Sequence, residues 1–218
     1  MKGLGEGKPE NRYERANDVI ALLEPLNPDP RPNLSYTNAF QLLVATILSA
    51  QCTDAMVNKL TPALFARWPD ARSLAVAPID ELELMVHSSG FYREKSKNLS
   101  RTARILVEHH HGEVPNTMND LVSLPGVGRK TAGVVLSACW GVPAIIVDTH
   151  FARVSRRLGF TLEADPRRIE AEIASFLPES SWTLFSHLLN KHGRNLCVAR
   201  LPRCGDCPLK DICPFLSA

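Results

Sequence analysis

The chain has 218 residues, 44% of them hydrophobic and 22% charged, which is typical of a globular protein and excludes a disordered or fibrous one. Its length suggests one large domain or two small ones. The 25 Lys and Arg residues nearly balance the 23 Asp and Glu residues, so the net charge of +2 excludes a strongly basic chromatin-like protein and an acidic solvating tail. Nucleic-acid binding stays compatible with this balance, because it depends on how charge clusters on a surface.

Helical periodicity dominates the chain, and strand-like alternation is scarce. Asp165 followed by Pro166 is a typical helix start, and Gly193 is placed to end a helix that begins at Ser180 or Ser181. The pattern predicts an all-α protein with about ten helices. The better-marked helices begin near Phe40, Ile79, Tyr92, Thr131, Thr149, Asp165 and Ser180.

Three segments interrupt the helical pattern. Ala144–Val147 is the one strand-like run, Asn27–Asn33 has the composition of a linker, and Gly141-Val142-Pro143 is a second break.

The first ten residues carry no apolar core of signal-peptide length. Leu42–Leu48, among the longest apolar stretches, is far shorter than the ~20 residues that span a bilayer. We therefore expect a soluble cytoplasmic protein with no membrane partner.

Two glycines one residue apart predict a tight turn between helices. Gly126 and Gly128 permit positive φ and close approach of another backbone, and the N–H groups of a following helix Thr131–Trp140 would favour an anion such as phosphate. The motif is not a Walker loop, because Arg129 separates Gly128 from Lys130, and it lacks the third glycine of a dinucleotide fingerprint. An ordinary turn and a helix–hairpin–helix that grips a DNA backbone without reading sequence both remain open.

Six cysteines are unevenly distributed, with four in the last 22 residues. Cys197, Cys204, Cys207 and Cys213 have the spacing C-x6-C-x2-C-x5-C, which suits one metal centre. Ligand chemistry alone permits tetrahedral zinc or a 4Fe–4S cluster.

A basic segment precedes and overlaps these cysteines. From position 191 to 204 there are four basic residues and no acid, and they form either a phosphate-binding surface or a solvated face. Its members are Lys191, Arg194, Arg200 and Arg203.

Leu48–Asp54, Val57–Lys59, Leu124–Thr131 and Val147–His150 precede the four cysteines in this order. Together they resemble the endonuclease III family of bifunctional DNA glycosylase/AP lyases. The resemblance covers most of the chain, from about Asn33 to Pro214. Each motif alone is weakly specific, but their combination in this order is highly specific.

The resemblance implies a two-lobed all-α fold. Residues 32–142 would form a six-helix barrel with the helix–hairpin–helix, and residues 1–31 with 143–218 an iron–sulfur cluster domain. Of the two metal centres that the ligand chemistry permits, the resemblance implies the 4Fe–4S cluster and not zinc. It also implies a monomer that binds damaged double-stranded DNA across the cleft between the lobes, excises oxidised pyrimidines and then cleaves the abasic site.

For the chemistry, the resemblance assigns two residues. Lys130, as a neutral amine, would attack the sugar C1′, expel the base and leave a Schiff base that promotes β-elimination. Asp148, near the N-cap of a helix from Thr149, would assist proton transfer and stabilise the cationic sugar. Judged without the family, the same residues are a phosphate-binding lysine and a capping aspartate.

The family positions also suggest which residues contact DNA. Gln51 would fill the gap left by an extruded nucleotide, and Phe91 would be the opposing wedge, although the family often has an aliphatic residue there. Their alternatives are a polar cap and a core aromatic, and His150 contacts DNA or is structural. Phosphate contacts are expected from Gly126, Gly128, Arg129, Lys191, Arg200 and Arg203.

Two other functions remain as alternatives. A monofunctional glycosylase of the same superfamily is disfavoured, because adenine glycosylases usually lack a lysine at the position of Lys130 and carry a further C-terminal domain. A non-catalytic DNA-binding module with a structural metal is the alternative from another class.

Overall fold

The computed structural model describes residues 9–27 and 32–217, and side chains from 12 to 27 and from 32 to 216. These residues form eleven α-helices and no β-strand, so the all-α prediction is confirmed. None of the helices that it describes is both long and apolar enough to cross a membrane. The helices are α1 Pro9–Leu23, α2 Ala39–Leu48, α3 Asp54–Arg67, α4 Ala71–Ala75, α5 Ile79–Val86, α6 Tyr92–His109, α7 Met118–Ser123, α8 Arg129–Trp140, α9 Thr149–Arg157, α10 Pro166–Ala174 and α11 Glu179–Asn195.

The chain divides into two compact units. The central unit is Pro32–Val142 and contains α2 to α8; the terminal unit joins Met1–Arg31 to Pro143–Ala218 and contains α1 and α9 to α11. Gly141, with φ +67°, ends α8 just before the second boundary. The predicted Asn27–Asn33 linker falls largely outside the described residues, since 28–31 are not described.

The central unit is built around α2. Eight of the ten residues of α2 are buried, and the helix packs against α3, α6 and α8. The unit has seven α-helices in its described part, one more than the six expected for the barrel. The five-residue helix α4 is stabilised by a capping box of Asp70 and Ser73 at its N-terminus. The box provides hydrogen-bond partners for N–H groups that have none within the helix.

The terminal unit has an aromatic core. Phe185 of α11 makes edge contacts with Phe151 and Phe160, at centroid distances of 6.0 and 5.4 Å. The N-terminal helix α1 joins this core through Ala16, Val19 and Leu23. Arg12 of α1 adds an ion pair with Glu172 of α10, with 2.6 Å between Nη1 and Oε1.

The predicted start of α10 is confirmed. The Asp165 side chain accepts hydrogen bonds from the backbone N–H groups of Arg167 and Arg168.

Two other predictions in this unit were wrong. Ala144–Val147 is not a strand: the N–H groups of Ala144 and Ile146 donate to the hydroxyls of Thr183 and Ser186 on α11. Because α11 side chains accept from these two N–H groups, the two groups need no partner in a sheet.

Gly193 does not end α11. The helix starts at Glu179, continues to Asn195, and buries Gly193 on the face that packs against α9. The glycine serves close helix packing instead of a left-handed cap, because a Cβ there would be 2.9 Å from Val154 Cγ2.

Candidate functional site

The hairpin between α7 and α8 is anchored to the central unit. Leu124 and Val127 are buried, and Thr102 of α6 donates a hydrogen bond of 3.0 Å to the carbonyl of Pro125. Gly126 has φ +77°, and a Cβ there would be 3.2 Å from the Asn98 side chain. Both conformation and space therefore require glycine at position 126.

Gly128 has a different role from the one its spacing suggested. Its φ of −92° is extended, so it does not use the positive-φ freedom of glycine, and a Cβ there would meet no protein atom within 4 Å. It is the N-cap residue of α8, which begins at Arg129, two residues earlier than predicted, and no side chain caps this N-terminus. The N–H groups of the first turn therefore face an open surface next to a residue without a side chain.

Lys130 lies in the first turn of α8 and is exposed, as is its neighbour Arg129. Among the described residues, none accepts a hydrogen bond or forms an ion pair with the Lys130 amine. A primary amine presented in this way, beside an uncapped helix N-terminus, can reach a ligand whose phosphate binds that N-terminus.

Asp148 is the N-cap of α9, as predicted. Its Oδ1 accepts a hydrogen bond of 2.7 Å from the backbone N–H of Phe151. Its Oδ2 accepts a hydrogen bond from the side-chain amide of Asn190, on α11. With each oxygen bonded to a separate donor, the half-buried carboxylate is held in one orientation. Sequence reasoning missed Asn190, which lies 42 residues away and belongs to no motif.

Arg153 joins α9 to the end of α11. Its guanidinium donates to the carbonyls of Gly193 and Cys197, at 2.7 and 3.1 Å, and to Nδ1 of His150 at 3.2 Å. Because Nδ1 of His150 accepts this hydrogen bond, the proton of the neutral ring is on Nε2. His150 thus keeps a donor for another partner, whereas Arg153 is committed to the carbonyls of Gly193 and Cys197.

Gln51 and Phe91 lie on two exposed turns of the central unit. Gln51 has φ +53° and Phe91 has φ +48°, and both residues are exposed. Phe91 is 66% exposed, so it is not a core aromatic. No described residue hydrogen-bonds with the Gln51 side chain, so it is not a polar cap either. Left-handed backbone in non-glycine residues is uncommon and is often found at functional positions.

The four clustered cysteines line one cavity in the terminal unit. Leu209 and Phe215 are among its apolar lining residues, and all six cysteines are free thiols. Burial raises the pKa of the Cys207 and Cys213 thiols. Among the described residues, no three His, Cys, Asp or Glu side chains converge as ligands of one ion do.

Arg157 of α9 organises the loop that carries Cys197. Its guanidinium lies 3.2 Å from the Cys197 sulfur and donates to the carbonyls of Val198 and Ala199, at 2.8 and 3.0 Å. It also stacks on the Phe215 ring, 4.7 Å from the centroid. This residue was not identified from the sequence, although it holds the loop in place.

The predicted basic surface is only partly free for a ligand. Lys191, Arg194, Arg200 and Arg203 are all exposed. Arg203, however, donates a hydrogen bond of 2.8 Å to the carbonyl of Asn195 at the end of α11. Its guanidinium therefore stabilises a helix terminus and retains other N–H groups for an anion.

Comparison with known proteins gives consistent results. Residues 44–179 match the HhH-GPD superfamily base excision DNA repair protein family. The chain is 48% identical to endonuclease III of Synechocystis sp. over 97% of each chain, and 38% identical to that of Escherichia coli K12 over 91% of this chain and 94% of the other.

Comparison with solved structures indicates the same family. An endonuclease III trapped as a covalent intermediate with DNA has a TM-score of 0.89 and 39% identity, covering 94% of this chain and 97% of the other. A thermostable thymine-DNA glycosylase shares the fold, with a TM-score of 0.82 at 20% identity over 95% and 97% of the two chains. The chain belongs to the HhH-GPD superfamily of base excision DNA repair proteins and, within it, to the endonuclease III family.

Proposed function

We propose that Lys130 is the nucleophile with which this chain excises oxidised pyrimidines from duplex DNA and cleaves the abasic site that results. As an endonuclease III, the chain is a DNA glycosylase and AP lyase of base excision repair that acts on DNA. The observation that carries the assignment of Lys130 is its exposed amine in the first turn of α8, directly after the uncapped hairpin.

The chemistry follows from an amine at this place. Nζ of Lys130, as a neutral amine, attacks the sugar C1′, the bond from C1′ to the base breaks, and the base leaves with the bonding electrons and a proton. Loss of a proton from nitrogen and opening of the sugar give an imine between Nζ and C1′. Removal of a C2′ proton then expels the 3′ phosphate, which is the β-elimination that cuts the strand.

We assign the proton transfer and the stabilisation of the cationic sugar to Asp148. The hydrogen bonds from Phe151 and Asn190 hold its carboxylate in one orientation, which supports this role because a fixed charge need not reorganise during reaction. His150, with its proton on Nε2, is proposed to donate to the DNA from the same helix.

DNA binding is proposed to combine backbone contacts with insertion into the base stack. The N-terminus of α8, with Gly126, Gly128 and Arg129, would bind a phosphate. Gln51 and Phe91 would enter the stack as the damaged nucleotide is extruded, since both are exposed on turns. Lys191, Arg200 and Arg203 would contact phosphates of the same duplex.

We propose that Cys197, Cys204, Cys207 and Cys213 hold a 4Fe–4S cluster. Four free thiols line one cavity, and thiolates are the usual ligands of such a cluster. The relationship to endonuclease III favours the cluster over a single zinc ion. When bound, the cluster would supply iron–thiolate bonds that cross-link residues 197 to 213 within the terminal unit. Iron and acid-labile sulfide in equal amounts would support the cluster, and stoichiometric zinc would refute it.

Borohydride trapping on a duplex with one oxidised pyrimidine tests the nucleophile. Lys130→Ala should abolish both base release and the trapped adduct, whereas the matched control Lys59→Ala, an exposed lysine of α3, should keep both. A trapped adduct with Lys130→Ala would contradict the assignment. Tight binding by the wild type without cleavage would favour a non-catalytic DNA-binding module. We further propose that the protein acts as a monomer in the cytoplasm, at the nucleoid.

A further inference from the structure

Lys95 is a buried lysine that lies outside both the hairpin and the cysteine cluster. It lies in the second turn of α6 and is only 5% exposed. No carboxylate among the described residues pairs with it. Burial lowers the pKa of Lys95, and the nearby Cys52 opposes this effect. Burying a lysine ammonium group without a counter-ion costs free energy unless other groups accept its hydrogen bonds.

Those partners are two backbone carbonyls at the ends of two different helices. Nζ of Lys95 donates to the carbonyl of Leu48, the last residue of α2, at 2.8 Å, and to that of Ser89, the last residue of the 3₁₀ helix His87–Ser89, at 2.7 Å. Carbonyls at a helix C-terminus lack intrahelical donors and carry the negative end of the dipole. One buried ammonium group therefore caps the C-termini of two helices.

Each capped helix leads directly into a left-handed residue that is expected to enter the DNA, Gln51 or Phe91. Gln51 follows Leu48 by three residues, and Phe91 follows Ser89 by two. The backbone N–H of Lys95 also donates to the Phe91 carbonyl at 3.1 Å, so Lys95 holds the chain on both sides of residue 90. Left-handed conformations of this kind cost about 1–3 kcal/mol and persist only where the surroundings fix them.

We infer that Lys95 is a positioning residue for nucleotide extrusion, which ties the turns of Gln51 and Phe91 into one rigid body so that both side chains enter the DNA with a fixed spacing. This inference rests on the proposed insertion of Gln51 and Phe91. Lys95 does not touch the DNA in this scheme. It acts through the backbone of the two turns, and its effect should disappear when the inserting side chains are absent.

A double-mutant cycle tests this dependence. Lys95→Met removes the donors and the charge at nearly constant length, and should lower the single-turnover excision rate in duplex DNA about tenfold. In a Gln51→Ala, Phe91→Ala background, adding Lys95→Met should lower the rate by less than about twofold. An equal tenfold loss in both backgrounds would overturn the inference and leave Lys95 a purely structural residue.

Two comparisons separate this inference from the proposed function. Schiff-base trapping on an abasic site in single-stranded DNA needs no insertion, so Lys95→Met should retain it, and Lys59→Met should retain both activities. Failure of the wild type to form the adduct would refute the proposed nucleophile instead. Unchanged duplex excision by Lys95→Met would overturn the inference alone.

Hydrogen exchange on the wild-type protein covers the case in which Lys95→Met fails to fold. If Lys95 ties the turns together, the amides of the two turns should open with the same free energy and become protected together on DNA binding. Independent opening of the two turns would contradict the proposed coupling of the turns through Lys95.

Discussion

The side-chain amide of Asn190 donates a hydrogen bond to Oδ2 of Asp148, and the backbone N–H of Phe151 donates to Oδ1. The carboxylate assigned to proton transfer is thus held by one donor from its own helix and one from α11. A capping aspartate needs only the first of these hydrogen bonds. The second fixes the rotation of the carboxylate and distinguishes Asp148 from Asp165, whose Oδ1 accepts both of its capping hydrogen bonds from the backbone of α10.

Asn190→Ala should therefore slow base excision without unfolding the protein. Loss of a hydrogen bond to a charged group is worth about 1.5–3 kcal/mol, so a fall of at least about tenfold in the single-turnover rate is expected. DNA affinity, measured by fluorescence anisotropy, should stay within about twofold. Asn195→Ala, an exposed residue of the same helix, is the matched control and should be as active as the wild type. Equal rates for Asn190→Ala and the wild type would show that the hydrogen bond has no catalytic role.

The two glycines of the hairpin should respond differently to substitution. Gly128→Ser should keep the melting temperature, because the space is open and serine is a good N-cap, but should weaken DNA binding by about tenfold, since its side chain covers the helix N-terminus. Gly126→Ala should lower the free energy of unfolding by about 1 kcal/mol or more, because of its positive φ and the Asn98 contact. Unchanged DNA binding by Gly128→Ser would argue against a backbone contact at this position.

Gly193→Ala should destabilise the terminal unit. The added Cβ would be 2.9 Å from Val154 Cγ2 and 3.1 Å from His150 Cβ, so α9 and α11 must separate. Overpacking of this kind costs about 1–3 kcal/mol in free energy of unfolding, measurable by denaturant titration. Gly205→Ala, where a Cβ meets nothing within 4 Å, is the control. Equal stability of the two variants would show that the α9–α11 contact adapts readily.

Arg157→Met should weaken retention of the proposed cluster. The substitution removes the hydrogen bonds to the loop after Cys197 and the contact with its sulfur, which leaves the first ligand less well placed. We expect less iron per chain after purification and faster loss of visible absorbance in the presence of a chelator. The neighbouring Arg156→Met, on the exposed side of α9, should match the wild type. Identical iron retention by both variants would remove Arg157 from this role.

The stability contributed by Asp70 should depend on pH. Hydrogen bonds from Ser73 hold the pKa of Asp70 below its ordinary value, so the ionised carboxylate stabilises the folded state above that value. This contribution is lost as the pH falls through the lowered folded-state pKa. Asp70→Ala should therefore melt below the wild type at pH 7, and the difference should shrink in acid. Asp18→Ala, exposed on α1, should melt like the wild type at both pH values; a gap for Asp70→Ala that is constant with pH would contradict the capping argument.

The parts of this protein that sequence alone determined are those encoded within a few residues. Asp148 and Asp165 cap helices as predicted, because an N-cap bonds to N–H groups only two or three residues ahead. Helical periodicity likewise sufficed for the all-α class. A local rule failed at Gly193, where the pattern of a helix end also suits a glycine needed for close packing against another helix.

Tertiary structure decided which distant residues share a hydrogen bond. Asn190 reaches Asp148 across 42 residues, and Lys95 reaches Leu48 across 47. No periodicity or spacing predicts such pairs, because they arise where separate helices pack and their polar groups must find partners away from water. The sequence by itself therefore determined the family, the hairpin and the cysteine spacing. The packing of its helices decided how the Asp148 carboxylate is held and how the turns of Gln51 and Phe91 are joined.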